Sequence, residues 1–322
     1  MSLVQDLTPV NLLSEKAKFF ADQSYNPQFT YSRPITLDEL YRYGLPQEKY
    51  KSLAKEINQR AFHDQTETEI VNKEGAAVSD DEVKQKIIFF LQMHNLEDHY
   101  RLIFSDSFVA RAAVSNTEIK LRTPLKFLEQ NLLGMIYHEL GTHALRQINY
   151  EQQPFFKKRK QMGFTDYLRT EEGLAVLHGL LPYANKIAYK ASSHYLASSW
   201  AQTDSFSELW HKIAHFIDDP DRRWNWTLRQ KRGLTDTSQP GGFTKDLVYF
   251  EGFVDTWRWL QQQQFDITDL YRGKIAFADV GKAKEMNPLY TPLLPSFFSV
   301  NKDAYKQQLY LIGKTNHLEQ SL

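Results

Sequence analysis

Tyr137-His138-Glu139-Leu140-Gly141-Thr142-His143 sits inside an apolar-periodic run, and its reading decides what the chain can be. A His followed at once by Glu, with a second His about a turn later, is the residue set of a hydrolytic zinc site. Two imidazoles hold the metal, and the carboxylate beside them accepts a proton from the bound water. In the familiar H-E-x-x-H form the histidines are four apart on one helical face; here His138 and His143 are five apart. At about 100° per residue, positions five apart on a regular α-helix diverge by roughly 140° and could not share an ion. A π-bulge restores one face. Gly141 lies where the helix would have to loosen, so the spacing predicts a locally widened helix between the histidines. The plainer alternative is two unrelated histidines on an amphipathic helix, and spacing alone does not choose between them.

Upstream, Leu125, Leu128, Leu132, Met135 and Ile136 draw an apolar stripe into His138, with Thr123 as expected N-cap and Pro124 at the first helical position. A helix buried this way must give its polar His and Glu groups partners, and a metal is one. Residues 101–108 and 116–121 alternate and read as strands. The second, with Ile119 and Lys120, is expected beside the site, offering an open edge to an extended substrate. Downstream, a helix should carry Thr170-Glu171-Glu172-Gly173-Leu174-Ala175-Val176. Its acidic pair is either the source of a third ligand or a solvated helix face. His178 reads as a core or supporting histidine, and His63, His94 and His99 as surface or cap residues. His211 and His215, four apart, form a rival pair that lacks a Glu to act as base. Arg229-Gln230-Lys231-Arg232-Gly233 and the Pro/Gly-containing turn at 235–242 suit a loop that approaches a substrate, or simply an exposed basic loop; a new helix is entered at Phe243-Thr244-Lys245-Asp246.

Composition narrows the classes. Lys plus Arg number 39 and Asp plus Glu 39, so no global field points to nucleic acid or an anionic membrane. Without cysteine, a metal site must use His and carboxylate. Residues 1–16 lack the apolar core of a signal peptide, and no run approaches a membrane span, so a cytoplasmic protein is expected. Helical patterns cover 12–21, a stretch opened by the capping box Thr36-Leu37-Asp38-Glu39 and carrying Leu40, Tyr43 and Leu45, then 50–63 and 81–96. The expected fold is mainly α with a small β-sheet (α+β): an N-terminal helical lobe at 1–100 and a catalytic region at 101–322 forming one compact unit, its C-terminal part helical with Pro-containing links.

With these motifs assembled, the chain resembles a known family. It is the bacterial QEGLA-motif proteins, known as modulators of flavohaemoglobin expression, with their eukaryotic relatives, the microtubule-associated tyrosine carboxypeptidases. The resemblance is carried by Tyr25-Asn26-Pro27-Gln28-Phe29, His138-Glu139-Leu140-Gly141-Thr142-His143, Glu172-Gly173-Leu174-Ala175, Lys231-Arg232-Gly233, Gly242-Phe243-Thr244-Lys245-Asp246-Leu247-Val248-Tyr249 and Tyr271-Arg272-Gly273-Lys274-Ile275-Ala276. It implies a zincin-like metallopeptidase that removes a C-terminal residue, tyrosine in the eukaryotic members. Zn²⁺ is then held by His138, His143 and Glu172, with Glu139 as the catalytic carboxylate. One position departs: Glu171 stands where the motif has Gln, which makes it a second candidate ligand. On this reading Tyr249 or a histidine would steady the oxyanion. Arg232, with Lys231 and Lys245 as alternatives, would take the substrate's α-carboxylate. The partner is a peptide or protein C-terminus, with no nucleic acid or membrane; oligomeric state is not legible. Two other classes fit the same residues: an endopeptidase on this scaffold, and a non-enzymatic regulator with a structural or vestigial metal site.

Overall fold

The capping signals place helix starts where they stand in the sequence. Thr36 with Glu39, Thr66 with Glu69, Ser79 with Glu82 and Ser205 with Glu208 each satisfy the other's backbone N–H, opening helices Leu37–Tyr41, Glu67–Asn72, Asp80–Met93 and Phe206–Ile213. The computed structural model describes residues 6–108, 110–115 and 117–319; Asn116, the first residue of the expected second strand, and part of the 1–16 segment lie outside them. Leu37–Tyr41 ends before Tyr43 and Leu45, because Gly44 turns the chain at φ 89° and its N–H bonds to the Tyr41 carbonyl.

The chain divides into two units, passing between them after Lys73, Ile187 and Phe250, in place of the single expected break near residue 100. The first unit combines the residues up to Lys73 with Ala188–Phe250. Complementary faces far apart in sequence hold it together: Asn58 on helix Glu48–Ala61 donates to Ser193 on helix Tyr189–Ala201, and Phe62 stacks on Phe216. Phe19, Phe29, Phe206, Trp210 and Trp224 form an aromatic core there, uniting helices Leu12–Ala21, Phe206–Ile213 and Pro220–Lys231.

The second unit comprises Glu74–Ile187 and the chain from Glu251 on. Its sheet has three strands in the order Arg101–Ser105, Glu118–Arg122, Ala112–Val114; the first pair is parallel and the second antiparallel. A two-stranded pair joins Ala77–Val78 to Phe127–Leu128. That pairing moves the expected helix start. The chain stays extended through Leu128, whose N–H donates to Asn131 Oδ1, and the helix runs Glu129–His138 instead of opening at Thr123. Among the described residues the fold is mainly helical with these small sheets, and no helix is long and apolar enough to cross a membrane.

Candidate active site

Helix Glu129–His138 passes into a π-helix over Glu139–Ala144 and resumes as an α-helix over Leu145–Glu151. The widened turn brings positions five apart onto one face, as the His138–His143 spacing required: their ring centroids lie 5.0 Å apart. Neighbouring side chains occupy the carbonyls of the altered register. Thr142 Oγ1 donates to the Tyr137 carbonyl at 3.1 Å, and the buried Tyr271 hydroxyl to the Gly141 carbonyl at 2.5 Å. Thr142 in turn accepts from His178 Nδ1 at 2.7 Å, and His178 Nε2 accepts from Tyr305 at 2.9 Å, which fixes the tautomer of this core histidine. Gly141 lies inside the widened stretch, where the loosening was expected. Its φ is not left-handed, and a Cβ there would lie 2.5 Å from Phe297 Cε1. The glycine makes room for a ring.

Helix Leu168–Leu180 supplies the carboxylates, crossing close to the Leu247–Gln262 helix where Gly173 meets the backbone of Gly252. Successive helical residues point about 100° apart, and that divides the acidic pair. Glu172 Oε2 lies 3.6 Å from His143 Nε2 and 3.9 Å from His138 Nε2. Glu171 reaches behind His143 to accept from its Nδ1 at 2.9 Å and from Lys274 Nζ at 3.0 Å, and pairs with Arg146. One ligand atom from each of His138, His143 and Glu172 falls within 4.8 Å of the others, and no other such group of three occurs among the described residues. His211 and His215 are exposed, and the second lies beyond the end of helix Phe206–Ile213.

Electrostatics follow from burial beside fixed charges. Burial, reinforced by the charge on His143, lowers His138 to about 4, and its ring is also hydrogen-bonded to the backbone of Ala175. Burial opposes a charge on His143 too, but its hydrogen bonds to Glu171 and Glu172 outweigh that and raise it to about 10. A proton on His143 thus stands in for the positive charge that two carboxylates call for. Burial raises Glu139 to about 7, with His143 and a hydrogen bond from the Val114 N–H pulling the other way.

That last contact revises the expected substrate strand. Ile119 and Lys120 lie on Glu118–Arg122, which is paired on both sides, and Ile119 is fully buried, so this strand offers no open edge. The edge strand beside Glu139 is Ala112–Val114. In the antiparallel ladder Val114 is a non-bonded position, leaving its N–H free to turn away from the sheet.

The remaining expected residues belong to the first unit. Lys231 is fully buried, its ammonium donating to the Ala201 and Gln239 carbonyls at 3.2 and 2.9 Å, so it is committed to the fold. Arg232 keeps a buried Nε without a hydrogen-bond partner and lies over the Phe243 ring; Lys245 lies over Tyr249. Arg146, Lys274, Tyr271, Thr142 and Val114 were missed as site residues. Tyr271 and Lys274 are more than a hundred residues from the motif, and only the family-matching stretch 271–276 marked them.

A family model described as microtubule-associated tyrosine carboxypeptidase matches residues 39–308. The chain belongs to that family. Similar members include the microtubule-associated tyrosine carboxypeptidase 1 of Mus musculus, 31% identical over 98% of this chain and 69% of its own length, and that of Homo sapiens, also 31%, over 98% and 68%. The putative tyrosine carboxypeptidase MATCAP2 of Mus musculus is 30% identical over 99% of this chain, which spans 62% of that relative. The family match takes in the π-helix, the acidic pair and the 271–276 stretch together.

Proposed function

We propose that this protein is a zincin-like, zinc-dependent carboxypeptidase that removes the terminal residue from a peptide or protein, with tyrosine the residue suggested by its relatives' names. What carries the reading is the convergence of His138 Nε2, His143 Nε2 and Glu172 Oε2 from two helices on one point, with Glu139 beside them. The donor set suits zinc. Tetrahedral coordination at bond lengths near 2.1 Å places ligand atoms about 3.4 Å apart, and Glu172 already lies 3.6 and 3.9 Å from the two imidazoles. Bound there, zinc would supply Lewis acidity, activating water and polarising the scissile carbonyl.

This chain's own residues do the rest. His143 gives up its Nε2 proton to act as a ligand, so metal binding is coupled to proton release. Glu139, half-buried and with its pKa raised to about 7, can hold the proton of the attacking water and hand it to the leaving amine. The outward-facing Val114 N–H orients that carboxylate, and the rest of edge strand Ala112–Val114 is available to an extended substrate backbone. A cytoplasmic site of action fits relatives named for microtubules.

The test is cleavage-product mass spectrometry on peptides with free and amidated C-termini, alongside zinc analysis of the purified protein. Near one zinc per chain and loss of one residue from free acids alone are expected. Internal cleavage would make it an endopeptidase; no zinc and no product would make it a regulator.

A further inference from the structure

The buried carboxylate behind His143 has no part in the chemistry just described, yet three segments of the chain are arranged around it. Glu171 is 2% exposed and Arg146 fully buried. Arg146 pairs with Glu171 Oε2 through Nη1, and its other two nitrogens donate to backbone carbonyls: Nε to Leu270 and Gly273 at 3.0 and 3.2 Å, Nη2 to Ile275 at 2.7 Å. Lys274, from the same loop, holds Oε1, the oxygen that also accepts from His143 Nδ1. His143 lies in the π-helix and Arg146 in the α-helix that follows. Glu171 therefore grips the helix on both sides of the junction where its register changes.

We infer that Glu171 is a positioning residue: braced by Arg146 and Lys274, it fixes the ring of His143 so that Nε2 alone is offered to a metal. The inference rests on the metal site proposed above. An imidazole can present either nitrogen and can flip about its Cβ–Cγ bond; a hydrogen bond from Nδ1–H to a fixed carboxylate removes both freedoms and makes Nε2 a stronger donor. The same brace explains why Glu171 is not itself the third ligand. Both its oxygens are held by cations that would have to be abandoned, uncompensated, in a buried site.

The test is zinc affinity, measured by competition with a chromogenic chelator, for the wild type, Glu171→Gln and Glu171→Asp. Histidine-labelled protein would report the His143 Nδ1 proton by NMR. Gln keeps an acceptor of the same shape but without charge. Asp keeps the charge but draws the oxygen back by one methylene, and serves if the Gln variant does not fold. Affinity is expected to fall about tenfold or more, with the His143 Nδ1 proton losing its protection from exchange. Affinity within twofold of wild type in a folded variant overturns the inference, even if the zinc-free protein melts lower, because that would be a purely structural role. If the wild type itself binds no zinc, it is the metal site that fails.

Discussion

The sharpest consequence of the geometry concerns Gly141, where two physical accounts give opposite results. A methyl group there would sit 2.5 Å from Phe297 Cε1 and 3.1 Å from Cζ. Ordinary carbon contact is at about 3.7 Å, so the ring edge would have to retreat by about 1.2 Å. Phe297 is hemmed in by Tyr137 at 4.5 Å, His178 at 4.8 Å and Tyr305, stacked at 6.1 Å, so the retreat displaces the cluster behind the π-helix. Overpacking of this kind costs about 1–3 kcal/mol, and the better helix propensity of alanine returns up to about 1 kcal/mol. Gly141→Ala should therefore destabilise by about 1–2 kcal/mol. Phe297→Leu removes Cε1 and Cζ. In that background the same substitution should be neutral or mildly stabilising, a coupling of about 1.5 kcal/mol or more across the cycle. Urea unfolding of the four proteins measures it. Equal destabilisation in both backgrounds would mean that the widened turn needs the glycine for its backbone, and the packing account would be wrong.

Glu139→Gln should lower peptidase turnover by about 10²–10⁴-fold while zinc content stays at the wild-type level; retained turnover would remove Glu139 as the base. Lys231 offers a test by pH. Burial holds its folded pKa at about 8 against an ordinary value of 10.5. Between those values the unfolded chain binds more protons, so unfolding free energy rises with pH across the window, by at most about 3 kcal/mol. Wild type should gain stability over Lys231→Met between pH 7.5 and 9.5, and a constant difference between the two would show that the ammonium is not desolvated. Arg232, whose buried Nε has no hydrogen-bond partner, is proposed from the family resemblance to take the substrate's carboxylate. Arg232→Ala should raise KM for a free-acid peptide more than for its amide, and an equal rise for both would take it out of carboxylate recognition.

The sequence by itself determined what is local. Four Ser/Thr–Glu capping boxes mark helix starts because both partners lie within one turn. The five-residue spacing of His138 and His143 pointed to a π turn if the two were to share a face, and the structure has one. Only tertiary structure decided the rest. Pairing of 127–128 with 77–78 delayed the motif helix to Glu129, and a second partner on Glu118–Arg122 turned an expected edge into a central strand. Glu171 and Glu172 are equivalent in a string of letters. They parted because the helical turn between them aims one at two imidazoles and the other at Arg146 and Lys274; Lys274 reaches it from the 270–275 loop, whose carbonyls also hold Arg146 in place. Helical periodicity and capping are written in neighbouring residues, whereas burial, strand partners and paired charges depend on chain brought in from far away.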